Sequence, residues 1–145
     1  MKRFLIFIIA AVCLLSTASA QIQVKKSYPS KTLMSLRMGM VSLNQIGDNF
    51  YLVLQSDNHY DKAYVIHLGK EKAASMQSLE SLIEIASTIK KDDFYQLDNT
   101  DENLTIMRGL VKTEIWIKGR YHAGYGKTSK GELEKILDKL TFEVY

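Results

Sequence analysis

The chain has 145 residues, 46% hydrophobic and 24% charged, with 19 Lys and Arg against 16 Asp and Glu and a formal net charge of +3. Two of those basic residues, Lys2 and Arg3, fall in a leader of twenty residues, so the other 125 carry 17 basic against 16 acidic side chains, a net +1. That balance leaves no electrostatic footprint for nucleic acid. The one cysteine, Cys13, lies in the leader, which excludes structural disulfides, thiol catalysis and thiolate metal sites from the rest of the chain.

Taken in order, Lys2 and Arg3, the apolar run 4–15 and the small residues Ala18-Ser19-Ala20 have the three parts of a secretory signal peptide, with cleavage expected after Ala20. Val12 is not the small residue expected ahead of a lipid-modified cysteine, so free export is expected over anchoring through Cys13. No later run approaches the roughly 20 apolar residues of a transmembrane helix, and no membrane span is expected once the signal is removed. The expected localisation is periplasmic or secreted, in the style of a small bacterial export. Residues 21–33, with Lys25, Lys26, Lys31 and the only proline, Pro29, read as an extended tether, and 34–145 as a single domain large enough to bury its own core.

Within that domain, β-branched and aromatic residues mark strands over 36–43, 50–55 and 63–68, separated by the turn formers Gly47-Asp48-Asn49 and Ser56-Asp57-Asn58. Gly69 then leads into the longest helical pattern. Met76, Leu79, Ile83, Ala86 and Ile89 recur at steps of three or four, Leu82 widens the stripe, and Ser75, Ser78, Ser81 and Ser87 are expected on the wet side. Glu71 in the first turn and Lys90 and Lys91 in the last suit the helix dipole. Residues 92–102 hold five carboxylates and read as a loop with a short strand at 94–97.

A hairpin about Arg108-Gly109 follows, joining 104–107 to 110–120. Alternation places Val111, Thr113, Ile115 and Ile117 on one face and Lys112, Glu114, Trp116, Lys118 and Arg120 on the other. Ser129 and Glu132 form a capping box ahead of Leu133, Ile136, Leu137 and Leu140, the spacing of a second helix, with Phe142 and Val144 as a final short strand. The fold class expected is α+β: an antiparallel sheet of about five or six strands with two helices packed on one face, in the order βββαβββα. Strands followed by a helix occur twice, although no residues align across the two halves.

Catalytic motifs are scarce. Ala123-Gly124-Tyr125-Gly126-Lys127-Thr128 resembles the end of a phosphate-binding P-loop, but that motif needs glycine five residues before Gly126, where Tyr121 stands. Glycines permitting a turn into the capped helix explain the run more simply. His59, His67 and His122 lack a partner motif, no carboxylate pair declares a cleft, and no cofactor motif is present, so the chain is not expected to be an enzyme. Asp57, Asn58, His59 and Asp61, and again Asp98, Asn99, Asp101 and Glu102, could offer oxygen ligands to a metal, but both lack a full loop signature and read as polar loops.

The candidate ligand-binding row is Lys112, Trp116, Lys118, Arg120, Tyr121, His122, Tyr125 and Lys127. From 112 to 130, five basic residues face only Glu114, whereas 92–102 hold −5, a polarity that can steer a charged partner. Flat aromatics among cations suit an anionic glycan or a protein partner. The competing reading is that the tether or the acidic loop covers Trp116. The expectation is a small exported binding module, with an accessory subunit of a cell-envelope assembly as the alternative and a small hydrolase a distant third.

Overall fold

Alternation of large apolar residues with polar ones produces strands that are buried on one face, and the computed structural model, which describes residues 29–98 and 103–143, arranges them as two antiparallel four-stranded sheets. The first comprises β1 (Ser30–Leu36), β2 (Val41–Ile46), β3 (Asn49–Leu54) and β4 (Tyr64–Lys70), followed by α1 (Lys72–Thr88). The second comprises β5 (Phe94–Leu97), β6 (Leu104–Arg108), β7 (Glu114–Gly119) and β8 (Gly126–Ser129), followed by α2 (Lys130–Glu143). Each sheet is a meander whose strands pair in chain order. The α+β class holds, but one sheet of five or six strands becomes two of four, and βββαβββα becomes ββββαββββα.

Two strands account for the larger strand count. The apolar run at 36–43, expected as one strand, is broken between the end of β1 and the start of β2 by a corner, where Arg37 (φ 46°), Met38 (φ 55°) and Gly39 (φ 92°) turn the chain through left-handed backbone. Only the glycine adopts that conformation without steric cost. The run at 126–129, expected as a turn into the helix, is β8, paired with β7 from Glu114↔Ser129 to Ile117↔Gly126. The short strand at 94–97 is present as β5. β1 begins at Ser30, so the end of the expected tether is strand. Phe142 is an exposed residue of α2 rather than of a final strand. The expected signal, residues 21–28 of the tether and Val144 lie outside the described residues.

One continuous core joins the two halves. Leu43, Leu52 and Ile66 lie in register across β2, β3 and β4, and meet Leu79, Leu82 and Ala86 of α1, Ile106, Ile115 and Ile117 of the second sheet, and Leu133, Ile136 and Leu140 of α2. The helices pack against each other, and α1 lies against β4. The α1 stripe is rotated from its expected position: Ser75 is buried with Leu79, Leu82 and Ala86, while Met76 and Ile83 are only partly covered. Ser75 tolerates this because its hydroxyl donates to Glu71 O at 2.8 Å, and the absence of a Cβ on Gly69 lets Ala74 and the Ser75 backbone of the first helical turn lie directly against that glycine. The helix also stops earlier than expected, with Ile89 as its C-cap, so Lys90 and Lys91 lie beyond it. The capping box of α2 is formed, with Glu132 N–H donating to Ser129 Oγ at 3.4 Å and Ser129 N–H to Glu132 Oε2 at 3.1 Å.

Candidate functional site

Strand alternation sends Ile115 and Ile117 of β7 into the core and Glu114, Trp116 and Lys118 to the opposite, partly open face. Register then builds a row across the second sheet, because Phe94 pairs with Met107, Met107 with Trp116, and Trp116 with Lys127. One step along, Gln96, Thr105 and Lys118 are aligned in the same way. This face is a mixture of rings, a thioether and cations. Trp116 is its centre: Tyr125 lies 5.0 Å from it between ring centroids, Lys127 Nζ stands 4.5 Å from the ring, and its Nε1–H donates to Glu114 Oε1 at 2.9 Å. Lys118 Nζ is 5.1 Å from the Tyr125 ring.

Of the eight residues in the expected row, Trp116, Lys118, Tyr125 and Lys127 are therefore brought together. Arg120 and Tyr121 occupy the turn after β7, with the guanidinium 5.6 Å from the Tyr121 ring. Lys112 belongs to the turn at the other end of β7 and is remote from Arg120 along the strand. His122 faces away from the row, with its ring 4.9 Å from that of Tyr64. Among the described residues, Trp116 is in contact with Glu114, Tyr125 and Lys127.

The groove beside Trp116 was not legible in sequence. It has a volume of about 430 Å³ and is walled by Phe94 and Gln96 of β5, Thr105 and Met107 of β6, Lys118 of β7, and Arg120. Lys118 and Arg120 stood in the expected row, whereas the other lining side chains, Asn103 among them, did not. Period-two alternation could have grouped Phe94 with Gln96, but only the pairing of β5 with β6 and β6 with β7 sets them opposite the two cations.

What holds this face in place is a clasp between the halves. The 56–61 loop of the first half meets the 124–126 segment of the second through the bridge Ser56↔Gly126. Asp57 Oδ1 accepts Tyr125 N–H at 2.7 Å, Asp61 Oδ2 accepts Gly124 N–H at 2.7 Å, and Tyr64 Oη–H donates to Gly124 O at 2.6 Å. Asp57 is also ion-paired with Lys127 at 2.8 Å. Arg37, on the strained β1–β2 corner, bonds to Lys127 O and to Glu132, the capping residue of α2. The glycines of the P-loop-like run thus permit close approach of two sheets; a Cβ on Gly124 would collide with Ser56 Oγ and lie 2.6 Å from Asp57 Oδ1. Asp57 and Asp61, read as potential metal ligands, are committed to this contact. Among the described residues, no three His, Cys, Asp or Glu side chains gather as a metal site.

No family model, curated protein or solved structure matches this chain. No helix among the described residues is long and apolar enough to cross a membrane.

The clasp carries a pH signature. The Lys127 ammonium first, and the Tyr125 N–H second, hold the Asp57 carboxyl below its ordinary pKa of 3.8, and the Gly124 N–H does the same for Asp61. A carboxylate whose folded pKa lies below its unfolded value stabilises the fold fully above the unfolded value, and that contribution is lost as pH falls through the folded one. Urea midpoints should therefore hold from pH 7 to about 4 and drop below about 3.8. Asp57→Asn with Asp61→Asn should be less stable at pH 7 and show a shallower acid drop. Identical acid limbs for variant and parent would place the sensitivity elsewhere.

Proposed function

We propose that the protein is a small exported binding module that takes an anionic glycan on the outer face of its second sheet. The observation that supports this reading is the groove itself. Its size falls within the roughly 300–1,000 Å³ of small-molecule sites, and its walls divide the work of recognition. Phe94, 64% exposed, offers a flat face to the C–H surface of a sugar ring; Gln96 and Thr105 supply an amide and a hydroxyl; Lys118 and Arg120 bring two cations to one end for a carboxylate or sulfate. The reading places the domain in the periplasm or outside the cell, released by cleavage after Ala20.

Trp116 stands beside the groove in register with Met107 and, as the chain's one tryptophan, reports on it. Titration with a uronate tetrasaccharide should change its fluorescence, with affinity falling as salt is raised because exposed charges are screened within about 8 Å at physiological ionic strength. A neutral glucan tetrasaccharide should bind at least about ten-fold more weakly, a difference of about 1.4 kcal/mol. Lys118→Ala with Arg120→Ala should remove that preference while leaving the thermal midpoint unchanged. Equal binding of the charged and neutral sugars, or binding unaffected by the double variant, would refute the assignment.

A further inference from the structure

The segment Gly124-Tyr125-Gly126 carries one side chain, and the residues around it fix where that side chain points. A Cβ at Gly124 would collide with Ser56 and Asn58, and one at Gly126 with Tyr64 and Leu54, so both glycines are pressed against the first half. Tyr125 is gripped on both sides of its main chain by one residue: its N–H donates to Asp57 Oδ1 at 2.7 Å, and its carbonyl accepts Asp57 N–H at 3.0 Å. Its ring is turned onto the outer face of the second sheet, 5.0 Å from the Trp116 ring.

Register supplies the next contact. β7 and β8 pair through Trp116↔Lys127 and Ile117↔Gly126, so the following step sets Lys118 beside Tyr125. The Lys118 ammonium stands 5.1 Å from the centre of the Tyr125 ring, within the roughly 6 Å of a cation–π contact. The two lysines of this face are thus held in different ways. Lys127 is neutralised by Asp57 at 2.8 Å, whereas among the described residues Lys118 is in no ion pair, and Gln96 and Thr105, aligned with it across the sheet, are uncharged. An aromatic face attracts an ammonium without cancelling its charge or occupying all its N–H donors. Lys118, which also lines the groove, therefore keeps its charge for a ligand while losing much of the freedom of its long stem.

We infer that Tyr125 is a positioning residue of the groove: gripped by Asp57, it holds the Lys118 ammonium in place and so sets where the acid group of a glycan is bound. The inference rests on the anionic-glycan reading and gives two residues a role in it. Tyr125, expected from the sequence to touch the ligand, acts through Lys118, and Asp57, a residue of the first half outside the groove, acts through Tyr125. Charge selectivity on the second sheet thus depends on the contact between the halves.

The test pairs NMR of the free protein with calorimetric titration of the uronate and neutral glucan tetrasaccharides. Without ligand, the Lys118 Hε protons should lie upfield of those of solvent-exposed lysines, through the ring current of Tyr125, and Tyr125→Leu should abolish that shift. The same variant should lower the preference for uronate by about two- to five-fold, the range of an exposed cation–π contact. Its glucan affinity should be unchanged, which also reports that the domain is folded. Tyr125→Phe, which keeps the ring, should retain both the shift and the preference. In a Lys118→Ala background, Tyr125→Leu should have no further effect on uronate binding, since the two residues act as one unit. Lys118 protons at an ordinary position, a preference that survives Tyr125→Leu, or a further loss in the Lys118→Ala background would each overturn the positioning role. A parent protein that binds both sugars equally would instead sink the glycan reading, and this inference with it.

Discussion

Gly126→Ala should destabilise the protein by about 1 to 3 kcal/mol, read as a lower urea midpoint at unchanged slope. Gly131→Ala, the same chemical change five residues on, should stabilise it by about 0.5 to 1 kcal/mol. The opposite signs follow from what each new methyl would meet. At Gly126 a Cβ would lie 2.7 Å from Tyr64 Cδ2 and 2.9 Å from Leu54 Cβ. Both neighbours are buried in the first sheet, and Tyr64 is also held by its bond to Gly124 O, so neither can retreat without opening the core. At Gly131, in the first turn of α2, a Cβ would meet nothing within 4 Å and would only reduce the freedom of the unfolded chain. Two substitutions of the same sign and size would mean that the close approach of β8 to the first sheet does not require glycine at 126.

Leu79→Ala should cost about 2 to 5 kcal/mol, whereas Ile83→Ala should cost clearly less despite removing a comparable side chain. Leu79 is fully buried in the seam among α1, β4 and α2, while Ile83 lies at its margin. The loss at Leu79 combines the transfer of the removed carbons with a cavity that packed neighbours cannot close; at Ile83 solvent and mobile side chains relieve much of it. Urea melts of the two variants rank them directly. Equal losses would return the helix to the orientation that the Met76, Leu79, Ile83 stripe implied.

The two halves share an element order, four antiparallel strands and a helix, yet they are joined by unlike parts. The first half contributes Asp57, Asp61 and Arg37; the second answers with backbone at 124–127 and with Glu132. Lys127 takes part in both surfaces, since its ammonium neutralises Asp57 and stands against Trp116. The clasp therefore orients the aromatic face that carries the proposed glycan groove.

What the residues determine by themselves is whatever depends on local period and local chemistry. The α+β class, the existence of both helices, the Ser129–Glu132 capping box, the strand at 94–97 and the inward Ile115 and Ile117 all follow from side-chain spacing along one element. The outward Trp116 and Lys118 follow from the same alternation. What only the tertiary structure decided are contacts between segments distant in sequence. Arg37 and Met38 sustain left-handed backbone because Arg37 is held by Lys127 O and Glu132 some ninety residues away, so an apolar run that reads as one strand is broken by a corner, and the strand count of the first sheet changes with it. Ser75 is buried because α1 begins hard against Gly69, a proximity that helical periodicity does not encode. Gly124 and Gly126 answer to Ser56, Asp57, Tyr64 and Leu54, not to a phosphate or a simple turn. Phe94, Gln96, Thr105 and Met107 face Lys118 and Arg120 only because three strands pair in one register, and register arises from the summed fit of all the side chains on a face rather than from any one of them.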